Sequence, residues 1–181
     1  MSKIEVMSED LANKIAAGEV VEKTMNVVKE LVENSIDAKA TEIKINLIDS
    51  GVKEITVIDD GVGMDKDDAV LAFSRHATSK LKTIEDLFYI NSLGFRGEAL
   101  PSIASVSLVN MKTSNGTVGT EVEIDGGVIK EVKNCDLKKG TRITVKNLFY
   151  NTPVRLKYLR NLYTELANIT EYVNRMALSF P

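Results

Sequence analysis

The segment from residue 27 to residue 38 constrains the fold most, because its periodicity predicts an amphipathic helix. Its apolar residues recur at intervals of three and four, which places them on one side of a helix. These residues are Val28, Leu31, Val32 and Ile36. The opposite side carries a polar stripe of Asn26, Glu30, Glu33, Asn34 and Asp37. Glu30 and Asn34 lie one turn apart, roughly 6 Å along the same face. Such a pair suits activation of a water and binding of a hard cation, whereas the simpler interpretation of the stripe alone is a solvated face.

Composition narrows the class of protein. The 181 residues are 44% hydrophobic and 27% charged, which is ordinary for a globular protein. No apolar run approaches the ~20 residues that cross a bilayer, and the N-terminus lacks the apolar stretch of a secretory signal. The single cysteine, Cys135, rules out an internal disulfide framework, and with only one histidine the usual zinc ligands are missing. We therefore expect an intracellular, cytoplasmic protein with no membrane segment.

Charge is unevenly distributed along the chain. Residues 1–129 hold 13 basic and 22 acidic residues, a balance of −9. Residues 130–181 hold 10 basic and 4 acidic residues, a balance of +6. A basic C-terminal third is suited to an anionic polymer, and an ordinary solvated surface explains the same counts equally well.

The order of predicted elements indicates the fold class. Helices dominate the first half, with strands at 43–47 and 55–58, and an antiparallel run of strands follows. The remaining predicted elements are a helix from Ser8 ended by Gly18, helices at 65–73 and 99–104, a helix start at Thr83 and Asp86, strands at 106–112, 120–125, 128–132 and 141–146, and a last helix opened by Pro153. We predict an α+β fold, a two-layer sandwich of a mostly antiparallel sheet with helices on one face. Residues 1–181 are expected to form one domain, a fragment of a longer chain.

Asp59 ends a predicted strand and is followed by Gly61 and Gly63. A carboxylate at a rigid strand end accepts a hydrogen bond from a ligand amine in fixed geometry. Glycines there let the backbone approach a flat ring. Taken alone, the same residues are also typical of a common turn. The third glycine of a dinucleotide-binding fingerprint is missing.

Two further segments are suited to phosphate. The first is Gly94-Phe95-Arg96-Gly97-Glu98-Ala99-Leu100, in which glycines flank a basic residue directly before a helix. Loop amides and a helix N-terminus then point at an anion. The second is Thr78-Ser79-Lys80, which offers two hydroxyls and an ammonium. Each segment, taken singly, also fits an irregular surface loop.

Together these motifs resemble the Bergerat-type ATP-binding fold, shared by gyrase B subunits, heat-shock chaperones, sensor histidine kinases and MutL proteins. Within this group, the motif sequences are similar to those of MutL-type DNA mismatch-repair proteins. The similar segments are residues 13–21 (NKIAAGEVV), 74–80 (SRHATSK), 94–100 (GFRGEAL) and 149–153 (FYNTP). The resemblance covers essentially the whole chain.

The resemblance implies a role for each candidate residue. Glu30 matches the general base that orients the water attacking the γ-phosphate, and Asn34 matches the Mg²⁺ ligand. Asp59 matches the carboxylate that reads adenine, with Gly63 (and Gly61) admitting the ring. Thr141 matches a hydroxyl near the adenine. A mobile lid that cradles the phosphates is matched by Thr78, Ser79, Lys80, Gly94, Phe95, Arg96, Gly97, Glu98, Ala99 and Leu100.

The resemblance also implies partners. ATP and Mg²⁺ would order the lid and join two N-terminal regions as a homodimer, which hydrolysis to ADP would release. Further implied partners are a mismatch-recognition protein of the MutS type and weakly, non-specifically bound DNA, at the nucleoid if the source is bacterial. The family's γ-phosphate lysine lies in a second domain, so we expect this fragment to bind nucleotide but hydrolyse it feebly. The segment after Pro153 is less basic than the family pattern, with Leu156 at an often basic position.

Two alternatives remain open at this stage. One is a nucleotide-gated DNA-binding or scaffold module that needs no hydrolysis, and the other is a topoisomerase or chaperone ATPase on the same fold. We assign no catalytic role to His76, expect Cys135 to be inert, and interpret the stripe from Leu159 to Val173 as core packing. Residues 74–97 are expected to be disordered or displaced without nucleotide. The central prediction is that Asn34, Asp59 and Gly97 converge on one cavity.

Overall fold

A computed structural model describes residues 6–7, 15, 17–78, 93–94, 97–159 and 161–181. Six strands form one sheet in the order β1-β2-β6-β3-β4-β5, and each neighbouring pair is antiparallel. The strands are β1 (Ile43–Ile48), β2 (Glu54–Asp59), β3 (Leu108–Ser114), β4 (Gly119–Asp125), β5 (Val128–Cys135) and β6 (Gly140–Lys146). The helices are α1 (Thr24–Asp37), α2 (Lys66–Leu71), α3 (Ala99–Ser105), α4 (Pro153–Tyr158) and α5 (Leu162–Ser179).

The two faces of the sheet differ in chemistry, which confirms the predicted two-layer sandwich. Alternate residues of the central strands point into one apolar core. From the sheet this core takes Ile55, Val57, Val109, Met111, Val122, Ile124, Ile143 and Val145. The opposite face carries paired charges such as Lys112 with Glu121, at 3.4 Å, and Lys133 with Glu123, at 3.2 Å. Among the described residues, helices α1, α2, α3 and α5 contribute to this core, so they cover the apolar face of the sheet.

Helix α1 is the element that the apolar periodicity predicts. Val28 and Leu31 are 0% and 1% exposed, and Val32 is 4% exposed. The helix begins three residues earlier than the periodic stretch, since Thr24 already has helical backbone. Burying the apolar side of α1 in the core shared with the sheet and α5 leaves its polar stripe along the other side of the helix.

Short turns close the sheet as predicted. Gly126 and Gly127 join β4 to β5 with φ of 56° and 88°, the two left-handed conformations of a type I′ hairpin turn. Asp65 caps α2, because its Oδ1 accepts a hydrogen bond from the Asp68 amide at 2.9 Å.

The prediction of one last helix from Pro153 is wrong. Pro153 opens the short helix α4, and Leu159 interrupts the helical backbone with a ψ of 118°. Asn161 then caps α5, its Oδ1 accepting from the Tyr163 amide at 3.0 Å. The apolar repeat crosses this break, so it fits the core only in part: Ile169 is 3% exposed, whereas Leu162 and Leu166 are each 43% exposed.

The N-terminal helix is described only from residue 15 and residues 17–20, which are helical. Gly18 therefore does not end this helix, contrary to the prediction. A Cβ at Gly18 would lie 1.8 Å from a guanidinium nitrogen of Arg155. The glycine provides space for that side chain from α4. The predicted helix start at Thr83 and Asp86 lies outside the described residues. Among the residues that the structure describes, no helix combines the length and apolar character needed to cross a membrane.

Candidate functional site

One cavity of about 960 Å³ lies between α1, the ends of β2 and β6, and residues 62–64, 77–78, 93–94 and 97–100. Its volume is at the upper end of the range for small-molecule sites. Asn34, Asp59 and Gly97 all line it. The three separate motifs therefore converge on one space, as the sequence predicts.

The polar stripe of α1 forms one wall of this cavity. Asn26, Glu30, Glu33, Asn34 and Asp37 all line it. Because the apolar side of α1 is fixed in the core, the backbone positions of these residues are fixed as well. The stripe therefore forms one wall of the cavity and is not merely a solvated face.

Lys29 joins two carboxylates of this wall. Its Nζ donates to Glu33 Oε2 at 2.8 Å and to Glu30 Oε1 at 3.3 Å. Burial by itself would lower the pKa of the Lys29 ammonium, but the hydrogen bonds and charges of Glu33 and Glu30 raise its pKa above the ordinary value. Lys29 thus stays charged and offsets repulsion between the two carboxylates.

Glu33 has a second donor, from the C-terminal helix. The hydroxyl of Tyr172 in α5 donates to Glu33 Oε1 at 3.2 Å. Burial and the neighbouring Glu33 carboxylate raise the pKa of the Tyr172 hydroxyl, so it remains a donor. Only 10% of the Glu33 side chain is exposed, so the two bonds replace the water that this carboxylate has lost.

Asp59 lies in the cavity at the end of β2. Its Oδ1 accepts from the Gly61 amide at 3.0 Å, and its Oδ2 lies 3.0 Å from the Ser35 hydroxyl. Ser35 also donates toward the carbonyl oxygen of Leu31, at 3.0 Å, so its single proton is shared between two acceptors. Burial raises the pKa of Asp59 despite the hydrogen bonds from Gly61 and Ser35. The carboxyl is thus partly desolvated and held in one orientation.

Strand register brings two threonines to the same end of the sheet as Asp59. Asp59 pairs with Thr141 in β6, and Thr141 pairs with Thr113 in β3. The two threonine hydroxyls are 3.0 Å apart, and Thr113 accepts from the Met64 amide at 2.9 Å. Thr141 lines the cavity, and Thr113 fastens the loop after Asp59 to the neighbouring strand.

The structural roles of the two glycines after Asp59 were not evident from the sequence. Gly63 has a φ of +66°, and a Cβ there would lie 1.9 Å from the carbonyl oxygen of Ser114. The residue therefore allows close packing of two backbones, in addition to lining the cavity. Gly61 is not among the lining residues. Its contribution is the amide that orients Asp59.

The predicted lid is described only in part. Thr78, Gly94, Gly97, Glu98, Ala99 and Leu100 line the cavity, whereas Ser79, Lys80, Phe95 and Arg96 lie outside the described residues. Gly97 has a φ of +63°, and a Cβ there would lie 2.5 Å from the carbonyl oxygen of Ala77. The glycine thus allows the two lid segments to touch.

His76 belongs to the same region but is directed elsewhere. It is not among the cavity-lining residues. Its Nδ1 lies 3.4 Å from Glu98 Oε1, and its side chain is 77% exposed.

The single cysteine, Cys135, lies at the end of β5. Burial raises the pKa of the Cys135 thiol, which agrees with the expectation of an unreactive cysteine.

Several side chains that fix the geometry of the site were not identified from the sequence, among them Lys29 and Ser35 on α1 and Thr113 on β3. Asp37 was assigned to the polar stripe, but its task is to accept from the Leu93 amide at 3.1 Å and the Gly94 amide at 3.3 Å. Helical spacing places Lys29 four residues before Glu33, which was the available signal for that pair. Nothing local indicates the other contacts.

Comparison with known proteins decides the family. Residues 22–151 match the family model described as "Histidine kinase-, DNA gyrase B-, and HSP90-like ATPase". The chain belongs to this ATPase family. The matched range includes α1, Asp59, the described lid residues and Thr141, so all of the cavity lining except Glu19 and Val20 lies within the part that matches this ATPase family.

Curated relatives of the chain are DNA mismatch repair proteins MutL. The chain is 56% identical over its whole length to the protein from Bacillus pumilus (strain SAFR-032), covering 29% of that relative. It is 57% identical to the protein from Staphylococcus aureus (strain Newman), again over 100% of the chain and over 27% of the relative. The chain thus spans less than a third of the length of these relatives.

Solved structures of the family share the fold. The Aquifex aeolicus MutL ATPase domain complexed with ADP superposes with a TM-score of 0.66 at 32% identity, over 88% of this chain and 56% of that one. A structure described as the N terminal domain of a DNA repair protein gives a TM-score of 0.75 at 30% identity, over 90% and 47% of the two chains.

Proposed function

We propose that the chain is the N-terminal ATP-binding and ATP-hydrolysing domain of a MutL-type DNA mismatch-repair protein. The observation that carries the proposal is the single cavity in which the α1 carboxylates, the strand-end Asp59 and the loop around Gly97 face one another. The identity of 56–57% to MutL relatives over the whole chain supports this assignment over a topoisomerase or a chaperone of the same family.

Within this proposal Asp59 binds the adenine amino group. Its carboxyl is held by Gly61 and Ser35 at 3.0 Å each, so an oxygen is presented in fixed geometry to a donor in the cavity. A hydrogen bond to a charged acceptor contributes roughly 1.5–3 kcal/mol. Thr141, paired with Asp59 in the sheet, adds a hydroxyl at the same end of the cavity.

Glu30 acts as the general base for the attacking water. Its carboxylate lines the cavity and is anchored by Lys29 at 3.3 Å. Thr78 and residues 97–100 would surround the phosphates, together with Ser79, Lys80, Phe95 and Arg96 outside the described residues.

A Mg²⁺ ion fits the donors that this wall offers. Asn34 lines the cavity one helical turn after Glu30, and a side-chain oxygen is a ligand that Mg²⁺ accepts alongside phosphate oxygens and water. Among the described residues no group of three or more His, Cys, Asp or Glu side chains forms a metal cluster. The ion, when bound, neutralises phosphate charge in an otherwise acidic cavity.

For the whole protein we propose the cycle of a nucleotide-controlled homodimer, with the isolated domain able to stay monomeric. Nucleotide binding would join two N-terminal regions, and hydrolysis would release them. A mismatch-recognition protein of the MutS type and weakly held DNA are the proposed partners. The proposed location is the cytoplasm, at the nucleoid in a bacterium.

The decisive test separates binding from hydrolysis. Glu30→Gln keeps the size of the side chain but removes the base, so Mg²⁺-dependent ATP turnover should fall at least ~100-fold while the Kd of a fluorescent ATP analogue changes less than about threefold. Glu22→Gln, an exposed change just before α1, is the matched control. Unchanged turnover in Glu30→Gln would refute the assigned base, and full repair activity despite lost turnover would favour a scaffold module that needs no hydrolysis.

A further inference from the structure

Helix α5 contacts the cavity wall through polar groups as well as apolar ones. Thr24, at the start of α1, donates to the buried Glu165 of α5 at 3.0 Å. Further along α1, Glu33 accepts from Tyr172 of α5 at 3.2 Å. The bonded residues are 141 and 139 positions apart in sequence, and the two bonds fix α5 along the length of α1. The second bond reaches the group of charges that contains Glu30.

The three side chains Tyr172, Glu33 and Lys29 form one hydrogen-bonded series that ends at Glu30. Each bond is within hydrogen-bond distance: 3.2 Å from Tyr172 to Glu33, 2.8 Å from Lys29 to Glu33 and 3.3 Å from Lys29 to Glu30. Only 10% of the Glu33 side chain is exposed, against 23% of the Glu30 side chain, so Glu33 depends more on protein donors. Lys29 is accordingly closer to Glu33.

We propose that Tyr172 and Glu33 are positioning residues for Glu30, acting through Lys29. The inference rests on the proposed function, because it concerns the orientation of the proposed general base. Tyr172 satisfies one oxygen of Glu33, so that Lys29 is shared with Glu30 rather than drawn wholly to Glu33. Lys29 then holds the Glu30 carboxylate in one orientation in the cavity. Tyr172 itself does not belong to the cavity lining.

The physical reason is the cost of a buried carboxylate with too few donors. Without the Tyr172 hydroxyl, Glu33 Oε1 loses its donor and is desolvated. The ammonium of Lys29 is the nearby group able to compensate, and movement toward Glu33 releases Glu30. A released carboxylate samples several rotamers, and fewer of them orient a water for attack. Nucleotide binding is untouched, since the proposed adenine and phosphate contacts lie elsewhere.

The test removes one oxygen atom. Tyr172→Phe keeps the ring that packs against the core, and Tyr163→Phe on the same helix, where the side chain is 82% exposed, is the matched control. We expect kcat for Mg²⁺-ATP to fall about three- to tenfold in Tyr172→Phe, with KM and the Kd of a fluorescent ATP analogue within about twofold of the parent. Tyr163→Phe should leave kcat unchanged. Glu33→Gln provides a second variant and should also lower kcat more than it changes Kd.

A double-mutant cycle distinguishes positioning from a purely structural role. In a Lys29→Met background, Tyr172→Phe should have no further effect on kcat, because the series is already broken. An equal loss in both backgrounds, or a parallel loss in Kd and kcat, would overturn the inference. Glu30→Gln is measured alongside: if it abolishes turnover while Tyr172→Phe is silent, only the positioning role fails. If Glu30→Gln retains turnover, the proposed function fails first.

Discussion

At the scale of single residues, the site contains partly buried carboxylates whose orientation is fixed by a few hydrogen-bond donors. Asp59 shows the balance most clearly. Burial raises its pKa, and the amide of Gly61 and the hydroxyl of Ser35 offset only part of this effect. A carboxyl that is costly to ionise in the free protein is well suited to a ligand that supplies a donor. The folded chain therefore loses some stability at this position, and the proposed hydrogen bond to a ligand would offset that loss.

This balance predicts opposite effects of Asp59→Asn on stability and on binding. The folded pKa of Asp59 lies above its unfolded value, so the parent is penalised at pH values above the folded pKa and gains stability as the pH falls through it. Asp59→Asn should therefore unfold at a higher temperature than the parent at neutral pH, and the difference should shrink on acidification. Its affinity for an ATP analogue should fall roughly tenfold to a hundredfold.

Thermal unfolding across pH and a fluorescence titration check these two outcomes. Asp60→Asn is the neighbouring control. The Asp60 carboxylate accepts from Thr41 and Glu42, which lower the pKa of Asp60 to about 2. This variant should therefore be less stable than the parent at neutral pH, and the difference should vanish as the pH falls toward that value. A stabilised Asp59→Asn that still binds the analogue as tightly as the parent would show that Asp59 does not read the base.

At the scale of elements, helix α1 combines two tasks because it has two faces. Its apolar side enters the core and its polar side forms the cavity wall. The loop after β2 combines tasks in a similar way. It leaves the sheet at Asp59, contacts β3 through Met64 and Thr113 at 2.9 Å, and requires a glycine at 63 to pass the backbone at Ser114. The position of that loop determines the shape of the cavity beside Asp59.

Gly63→Ala should consequently reduce both stability and nucleotide affinity. The left-handed backbone and the collision of a Cβ with the Ser114 carbonyl oxygen, 1.9 Å away, should together cost about 1–3 kcal/mol in the free energy of unfolding. Gly116→Ala is the matched control, since Gly116 has a φ of +103° but a Cβ there would meet no atom within 4 Å. It measures backbone strain without the collision.

Chemical denaturation gives the two free energies, and titration with an ATP analogue gives the affinities. We expect Gly63→Ala to bind the analogue more weakly than the parent and Gly116→Ala to bind it normally. If the two variants lost stability equally and both bound normally, the close approach of the two backbones would not shape the site.

At the scale of the whole molecule, the strand order assembles the site from distant parts of the chain. Placing β6 between β2 and β3 aligns Asp59 with Thr141 and Thr141 with Thr113. Folding α5 back against α1 brings Tyr172 to Glu33, 139 residues away in sequence. The chain also covers only 27–29% of its MutL relatives, and those relatives contain further residues outside the matched part.

We therefore expect the isolated chain to bind Mg²⁺-ATP but to turn it over slowly. A version extended through the following part of a full-length relative should show a kcat at least ~10-fold higher, because a phosphate-binding lysine is expected there, with a smaller change in Kd. Single-turnover assays of the two proteins at equal concentration give the comparison. Equal turnover by the short and extended chains would mean that the described cavity already contains every group that hydrolysis needs.

Local sequence determined the parts of this protein that depend on neighbouring residues. Helix α1, the alternating strand β1, the Gly126-Gly127 hairpin and the cap at Asp65 all follow from spacing or turn chemistry, which act within a few residues. The sequences of the family motifs likewise predicted residues that line the cavity, such as Asn34, Asp59 and Gly97. The same reasoning joined α4 and α5 into one helix, because an apolar repeat does not register a short break such as the one marked by the non-helical backbone of Leu159 and Asn161.

The tertiary structure alone decided how those residues act together. The sharing of Lys29 between two carboxylates, the anchoring of residues 93–94 by Asp37 and the desolvation of Asp59 depend on how the elements pack. Burial and hydrogen-bond geometry are properties of the packed molecule, so periodicity does not contain them. For the same reason the sequence marks Gly63 as important, while the close approach to the Ser114 backbone that requires this glycine became clear only from the packed structure.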